Sequence, residues 1–200
     1  MAFDYTQAPP PRGAEPIPHG TVATVLMRIL PGNAGEGGLL KRSAKGDCEM
    51  LMLEFTVIDG EFKRRKFWTN LILEGTTDGH AKAAAISRGI LRGIIESVRG
   101  IKPSDLSPEA RAARTVELNA FDGLSFDARI GVEKGRPKND GSGDNHPDKN
   151  FLVGAVTPDR KEWRKIEQQT PPPANGSGTA EPAPTPTPPT AGVPKPRWAS

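Results

Sequence analysis

Two extended runs joined by Asp59-Gly60 constrain this chain more than any other feature of its sequence. The runs are Asp47–Ile58 and Glu61–Leu73, and both are rich in aromatic, β-branched and other apolar residues. An Asp-Gly pair between such runs predicts a β-hairpin, because both positions tolerate the positive φ that a tight turn requires. The sequence therefore predicts an antiparallel pair of strands at residues 47–73.

The second run separates into two faces, because successive side chains on a strand point to opposite sides. One face is apolar enough to enter a core and comprises Phe67, Thr69, Leu71 and Leu73. The other face is basic and aromatic and comprises Arg64, Lys66, Trp68 and Asn70. Such a mixture is typical of single-stranded nucleic-acid binding, in which cations contact phosphates and an aromatic ring stacks on a base. A shifted register is the alternative: Trp68 would lie in the core, and Lys63–Lys66 would form a solvated edge that blocks aggregation.

The remaining elements predict a mainly β protein with helices, of the α+β class. Further strands are predicted at Thr21–Leu30, Leu124–Val132 and Phe151–Thr157, and helices at about Gly79–Arg99 and at Ser107–Val116. Three strands, a helix or two, and then two strands is the order of an OB-fold-like five-stranded barrel with a helix between strands three and four.

The first predicted helix has an apolar stripe at helical spacing, formed by Ile86, Ile90, Leu91, Ile94, Ile95 and Val98. Its other side carries Arg88, Arg92, Glu96 and Arg99. Thr77 or Asp78 is the predicted N-cap, and Gly100 is the predicted C-terminal stop.

In an OB-fold, ligands lie across strands two and three, framed by the loops after strands one and four. Here both of those loops are Gly-rich and carry cations. The first, Pro31–Asp47, holds Lys41, Arg42 and Lys45, and the second, Glu133–Asn150, holds Lys134, Arg136 and Lys138. We predict that these six cations and the basic face of the second run form one nucleic-acid site. The alternative is that both loops are merely solvated.

Composition divides the 200-residue chain into three parts. Residues 1–19 are Pro-rich and predicted to form an extended arm anchored by Phe3 and Tyr5, and residues 20–167 are predicted to form the OB-like nucleic-acid-binding domain. Residues 168–200 are rich in Pro, Thr and Ala and predicted to be a disordered tail, because they cannot bury enough apolar surface to fold. The net charge of +3 is compatible with nucleic-acid binding but does not argue for it.

The sequence predicts neither an enzyme nor a metal or cofactor protein. Its single cysteine, Cys48, excludes a disulfide framework within one chain. No His pair has the spacing of helical metal ligands, and Asp140, Asp144 and Asp148 lack the order of an EF-hand. The N-terminus does not resemble a secretory signal and no run is apolar enough to span a membrane, which predicts a cytoplasmic protein with no membrane partner.

Several segments together resemble a family of phage and prophage proteins, formerly of unknown function, that are described as single-stranded-DNA-binding-like. They are FDYTQAPPP, GTVATVLMRILPG, LEFTVIDGEFKRRKFWTNLIL, HAKAAAISRGILRGIIESVRGIKPSD and LNAFDGLSFDARIGVEKG. The resemblance implies an OB-like domain that binds single-stranded DNA without sequence preference during phage replication or recombination. It also implies the bacterial cytoplasm and replication or recombination proteins as partners. The last residues, PKPRWAS, differ from the acidic tip with which many bacterial single-strand binders recruit partners.

A second function remains open, that of a non-enzymatic structural or adaptor protein whose Pro-rich tail binds a partner. The tail contains P-x-x-P matches such as Pro186–Pro189. The sequence also leaves open a homo-oligomer.

Overall fold

The structure, a computed structural model, describes residues 15–138 and 143–168. Within that part of the chain, six strands form one antiparallel sheet: β1 (Val22–Ile29), β2 (Leu40–Arg42), β3 (Cys48–Val57), β4 (Lys66–Gly75), β5 (Ser125–Glu133) and β6 (Lys149–Ala155). Two α-helices, α1 (Asp78–Arg99) and α2 (Pro108–Arg114), separate β4 from β5 in the chain. The protein is therefore of the α+β class, as predicted.

The long strand β3 organises the sheet. β4 pairs along one edge of β3, while β2 and β1 share the other edge, opposite Glu49–Leu51 and Leu53–Val57 respectively. β5 pairs with the free edge of β1, and β6 pairs with β5. β4 and β6 form no backbone ladder, so the sheet is open there; a single bond from the Leu152 N–H to Thr69 Oγ1, 2.9 Å, joins them. Helix α1 packs against β4, β5 and β6.

The predicted strand count and the predicted helix position were wrong. The structure has six strands in an open sheet, and no helix lies between its third and fourth strands, since α1 follows β4. The missed strand, β2, has three residues and lies inside the Gly-rich loop. It pairs with the neighbouring strand β3 and is accompanied by a close backbone approach at Gly32, where a Cβ would lie 2.0 Å from the Leu40 carbonyl oxygen.

The predicted hairpin is present, but its turn is longer than Asp59-Gly60. Gly60 has φ 82°, and the chain makes a further turn before β4 begins at Lys66. Within this extra turn, the half-buried ring of Phe62 packs against the core. Arg64 was predicted to lie on the strand face with Lys66; instead it lies in the turn, with φ 72°.

The core lies between the inner face of the sheet and α1. Its central side chain is Phe55, whose ring stacks on Phe67 at 5.1 Å and meets Phe126 edge-on at 6.2 Å. Each such ring pair is worth about 0.5–1.5 kcal/mol beyond the burial of its area. The helix contributes Leu91, Ile94 and Ile95.

Helix α1 begins and ends where its sequence predicts. The Thr77 hydroxyl accepts a hydrogen bond from the His80 N–H, and Gly100 ends the helix at φ 69°. The predicted apolar stripe was wrong at Ile86, which is 66% exposed. Glu96, predicted on the other side, is only 3% exposed.

The burial of Glu96 has a specific cause. Helix α2 packs on α1, and the Glu96 carboxylate accepts hydrogen bonds from Nε of Arg92 at 2.8 Å and from Nε of Arg114 at 2.7 Å. A carboxylate paired in this way can be buried, whereas an unpaired one would be costly. The burial therefore depends on a partner from α2 that the α1 sequence does not contain.

The segment after β6 folds back over β1 and β5. Arg164 binds the carboxylate of Asp127 through two nitrogens, at 3.1 and 2.9 Å, and Trp163 Nε1 donates to the Ser97 carbonyl oxygen at 3.1 Å. Gln168 exchanges hydrogen bonds of 2.8 and 2.9 Å with the Ser125 backbone. Strand alternation places Ser125 and Asp127 on the face opposite to Phe126, yet both are fully buried because this segment covers them.

Part of the predicted N-terminal arm contacts the sheet. Ile17 is buried, and its backbone exchanges two 2.8 Å hydrogen bonds with the side chain of Asn150 on β6. The predicted anchors Phe3 and Tyr5 lie outside the described residues, as does the tail from residue 169 onward. Among the helices that the structure describes, none is both long and apolar enough to cross a membrane.

Candidate nucleic-acid interface

Trp68 is an exposed aromatic side chain near the start of β4. It is 53% exposed, while its neighbours Phe67 and Leu71 on the opposite face are buried. The predicted alternation of β4 is therefore confirmed, and the shifted register, with Trp68 in the core, was wrong. An indole exposed to this extent offers a flat surface on which a base can stack.

The cross-strand register extends the surface around Trp68 over four strands. Residues directly opposite one another on paired strands share a face. Arg28 and Trp68 both lie opposite Glu54, Met52 lies opposite Asn70, and Lys41 and Ile72 both lie opposite Met50. We call this surface the outer face: Arg28, Lys41, Met50, Met52, Glu54, Thr56, Lys66, Trp68, Asn70 and Ile72.

Lys66, predicted as a phosphate contact, is paired with a carboxylate. Its Nζ lies 2.8 Å from Oε1 of Glu54, and the lysine side chain remains half exposed. Surface ion pairs are worth only about 0–1 kcal/mol, so a phosphate can replace Glu54 at little cost. Asn70 is exposed two residues beyond Trp68 and adds an amide to the same face.

The cations of the first loop fall into two groups. Lys41 and Arg42 lie on β2, next to β3, and Lys45 lies in the exposed turn between these strands. Arg42 binds Oε1 of Glu49 at 2.7 Å, whereas Lys41 lies on the outer face and forms no ion pair with any described residue. β2 therefore brings one unpaired cation, Lys41, onto the outer face.

The three predicted cations of the second loop, Lys134, Arg136 and Lys138, are paired with carboxylates. Lys134 lies 2.7 Å from Asp148, Arg136 lies 3.9 Å from Glu133, and Lys138 lies 3.6 Å from Asp144. The described part of the loop is itself a short hairpin. The Lys138 N–H donates to the Asp144 carbonyl oxygen and the His146 N–H donates to the Arg136 carbonyl oxygen, each at 2.8 Å.

Asp148 fixes the base of this hairpin. Its carboxylate accepts hydrogen bonds from Lys134 Nζ and from the Gly135 N–H. These bonds, the Lys134 bond first, hold the pKa of Asp148 below its usual value because they favour the ionised form.

A cleft of about 330 Å³ runs beside Trp68 between β4 and β6. Its other lining residues include Lys66, Lys149 and Pro16. β6 and the end of the N-terminal arm therefore border the outer face beside Trp68. Arg65 also lines it and donates to the Glu15 carbonyl oxygen. Lys149 is a cation beside Trp68 that was not among the predicted site residues.

The structure brings together only part of the predicted site. Lys66, Trp68, Asn70 and Lys41 share the outer face, Arg42 lies beside it on β2, and Arg64 lies in the turn. Sequence reasoning missed Arg28, Met50, Met52 and Ile72, which reach the face through the pairing of β1 and β3 with β4. The alternation of β3 and β1 was readable, but the register that aligns these strands with Trp68 was not.

Comparison of the chain with protein-family models, with curated proteins and with solved structures finds no match.

Proposed function

We propose that this protein binds single-stranded DNA without sequence preference, across the outer face and with Trp68 as the central stacking residue. The observation that carries the proposal is the half-exposed indole of Trp68 on a face that also holds Arg28, Lys41 and Lys66. Burying an exposed indole against a base removes apolar area from water, and stacking of this kind tolerates any base.

Cations around Trp68 supply the phosphate contacts. Arg28 lies 3.7 Å from Asp122 and Lys66 lies 2.8 Å from Glu54, and all four side chains remain partly exposed. Because exposed pairs of this kind contribute little to stability, a DNA phosphate can compete with either carboxylate. Met50, Met52 and Ile72 add apolar area next to the indole, where flexible Met side chains can adjust to different bases.

We also propose an OB-like arrangement of the strands, which would favour the same site. We propose that β1, β3, β4, β5 and β6 correspond to the five strands of that fold and that β2 is an addition within its first loop. The pairing of β3 with β1 and β4, the pairing of β5 with β1 and β6, and the bond between Leu152 and Thr69 favour this correspondence. In an OB-fold the ligand lies across the two strands that β3 and β4 would represent.

The biological setting rests on the resemblance to the phage and prophage family. We propose that the protein acts in phage DNA replication or recombination, in the bacterial cytoplasm. The alternative adaptor function depends on the Pro-rich tail, which lies outside the described residues, and no contact in the described part of the chain favours it.

A fluorescence-anisotropy titration tests the proposal. Labelled poly-dT, poly-rU and a duplex of the same length are each titrated with the full chain at several salt concentrations. We expect tight, salt-dependent binding to poly-dT and much weaker binding to the duplex, whose bases are not free to stack. Equal affinity for poly-dT and the duplex, or binding to neither, would contradict the proposal, and a preference for poly-rU would assign the site to RNA.

A further inference from the structure

A cluster of three potential metal ligands lies at the end of β3 and β4 opposite to the turn that joins these strands. It consists of Asp47, Cys48 and His80, and one ligand atom from each lies within 4.8 Å of those of the other two. Asp47 precedes β3, Cys48 is its first residue, and His80 lies in the first turn of α1. The fold thus brings together Cys48 and His80, which are 32 positions apart in sequence.

The pairing of β3 with β4 positions the imidazole beside the thiol. Cys48 lies opposite Gly75, and the His80 ring packs directly over Gly75, where a Cβ would lie 2.5 Å from the His80 Cβ and 2.7 Å from its Nδ1. Only glycine at position 75 allows this approach. The N-cap bond from the His80 N–H to Thr77, 3.1 Å, fixes the backbone of the histidine.

Ser43 orients the carboxylate. Its hydroxyl donates to Oδ1 of Asp47 at 2.6 Å and accepts from the backbone N–H groups of Asp47 and Cys48 at 3.1 and 3.3 Å. These bonds fix the position of the carboxylate beside the thiol. Hydrogen bonds from a second residue to a ligating carboxylate are a regular feature of metal sites.

The second observation is an unsatisfied nitrogen. Nδ1 of His80 is buried and forms no hydrogen bond with any described residue, and the Cys48 side chain beside it is only 7% exposed. A buried polar atom without a partner is costly, by about 1–3 kcal/mol, and most such atoms in proteins have one. A ligand bound between the three side chains would supply the missing partner.

We propose that Asp47, Cys48 and His80 bind a divalent transition-metal ion of the zinc class. Thiolate, imidazole and carboxylate together are ligands that Zn²⁺ accepts, whereas Mg²⁺ and Ca²⁺ prefer oxygen alone. The thiolate and the carboxylate bring two negative charges, which match a divalent cation beside the positive end of α1. An adjoining cleft of about 300 Å³, lined by Glu49, Glu74 and Thr76, leaves room for water or a further ligand in the fourth position.

This site is separate from the nucleic-acid interface. Gly75 and Trp68 are seven residues apart on β4, which at about 3.3 Å per residue places the cluster roughly 23 Å from the stacking residue. Metal binding can therefore fail while DNA binding persists, and the reverse.

The test is a Co²⁺ titration of the full chain after treatment with a chelator, followed by displacement with Zn²⁺. We expect one Co²⁺ per chain, a thiolate-to-cobalt charge-transfer band, and loss of that band when Zn²⁺ is added. Cys48→Ser should abolish the band, and Asp47→Asn should weaken Co²⁺ binding by at least about tenfold. His146→Gln, at an exposed histidine of the second loop, is the matched control and should bind as the wild type does.

Two further measurements separate a loss of metal binding from a loss of folding. Circular dichroism of each metal-free variant shows whether it is folded, and His80→Gln provides a second variant that retains the helix cap through its backbone N–H. Zn²⁺ should raise the melting temperature of the wild type and of His146→Gln, but not that of Cys48→Ser. A folded wild type with no charge-transfer band, or a band that persists in Cys48→Ser, would overturn the proposal.

Discussion

Nζ of Lys66 lies 2.8 Å from Oε1 of Glu54, and the strand register places Glu54 directly opposite Trp68. The carboxylate thus lies next to the aromatic side chain on which we expect a base to stack. It neutralises the nearest lysine, and it repels the phosphates that must approach the same surface. The outer face is consequently less cationic than its count of basic residues indicates.

Replacing this carboxylate should strengthen DNA binding. In Glu54→Gln, Lys66 is released and one negative charge is removed, so we expect affinity for poly-dT to rise about two- to fivefold, in line with the worth of an exposed ion pair. The slope of log affinity against log salt should steepen by up to about 0.7, because Lys66 neutralises its phosphate fully once Glu54 no longer competes for it. Anisotropy titrations at several salt concentrations measure both quantities.

Glu162→Gln is the matched control for this prediction. Glu162, like Glu54, forms an ion pair, with Arg129 at 3.4 Å, but it is more exposed than Glu54, follows β6 and is not part of the outer face. It should leave DNA affinity nearly unchanged. Unchanged or weaker binding by Glu54→Gln would show that Lys66 does not contact phosphate.

The two cationic loops should contribute unequally. Replacing Lys41, Arg42 and Lys45 with Gln should flatten the salt dependence by up to about 2 units, since every phosphate that these cations neutralise accounts for about 0.7 of the slope. Replacing Lys134, Arg136 and Lys138 should flatten it less, because each of these cations already has a carboxylate partner. The salt slopes of poly-dT binding for both triple variants and the wild type provide the measurement. Equal salt slopes in all three proteins would show that neither loop contacts the DNA phosphates.

The segment after β6 should stabilise the fold through Arg164. Asp127 is fully buried and its ion-pair partner is Arg164, whose own side chain is 60% exposed. Breaking a buried pair costs about 3–5 kcal/mol, and the exposure of Arg164 lowers our expectation for Arg164→Gln to about 2 kcal/mol. Chemical denaturation measures the loss, and Lys165→Gln, at the exposed neighbour, is the control and should change stability by less than about 0.5 kcal/mol. If Arg164→Gln lost no more stability than the control, water would be able to replace Arg164 as the partner of Asp127.

The tail should be dispensable for folding. Gln168 bonds to the Ser125 backbone, so we expect a chain ending at Gln168 to keep its melting temperature within about 2 °C, a change below about 1 kcal/mol in a domain of this size. A chain ending at Glu162 loses both Trp163 and Arg164 and should melt markedly lower. Calorimetry of the two truncated chains and the full chain distinguishes these outcomes. A large drop on removal of residues 169–200 alone would show that the tail packs on the domain.

The sequence predicted best where a local pattern decides the structure. The faces of β4 follow from alternation alone, which is why Phe67 was correctly assigned to the core and Trp68 to the surface. The ends of α1 follow from a Thr cap and a Gly stop, both of which act within one turn of the helix.

The buried charges that the sequence did not reveal share a physical cause: a segment distant in the chain covers the side chain and supplies its partner. Glu96 is buried because α2 supplies Arg114, and Asp127 is buried because the C-terminal segment supplies Arg164. These effects depend on packing against segments that lie elsewhere in the chain, so neither periodicity nor propensity could reveal them.

The candidate site shows the same division. The residues on β4 were predicted from its own sequence, while Arg28, Met50 and Met52 joined the face through register. The ion pairs that neutralise Lys66 and the second loop depend on acidic partners across the sheet or the hairpin. The number of basic residues in the sequence therefore overstated the positive charge of the folded surface.

The most direct measurement of the central claim is the affinity of Trp68→Ala for poly-dT, compared with wild type and with Ile86→Ala. Ile86 is an exposed apolar residue on α1, outside the outer face, and serves as the control. We predict that Trp68→Ala weakens binding by about 1–3 kcal/mol, the usual worth of one stacked base, while its melting temperature and the affinity of Ile86→Ala stay at the wild-type values. A folded Trp68→Ala protein that binds poly-dT as tightly as the wild type would contradict the assignment of Trp68 as the stacking residue.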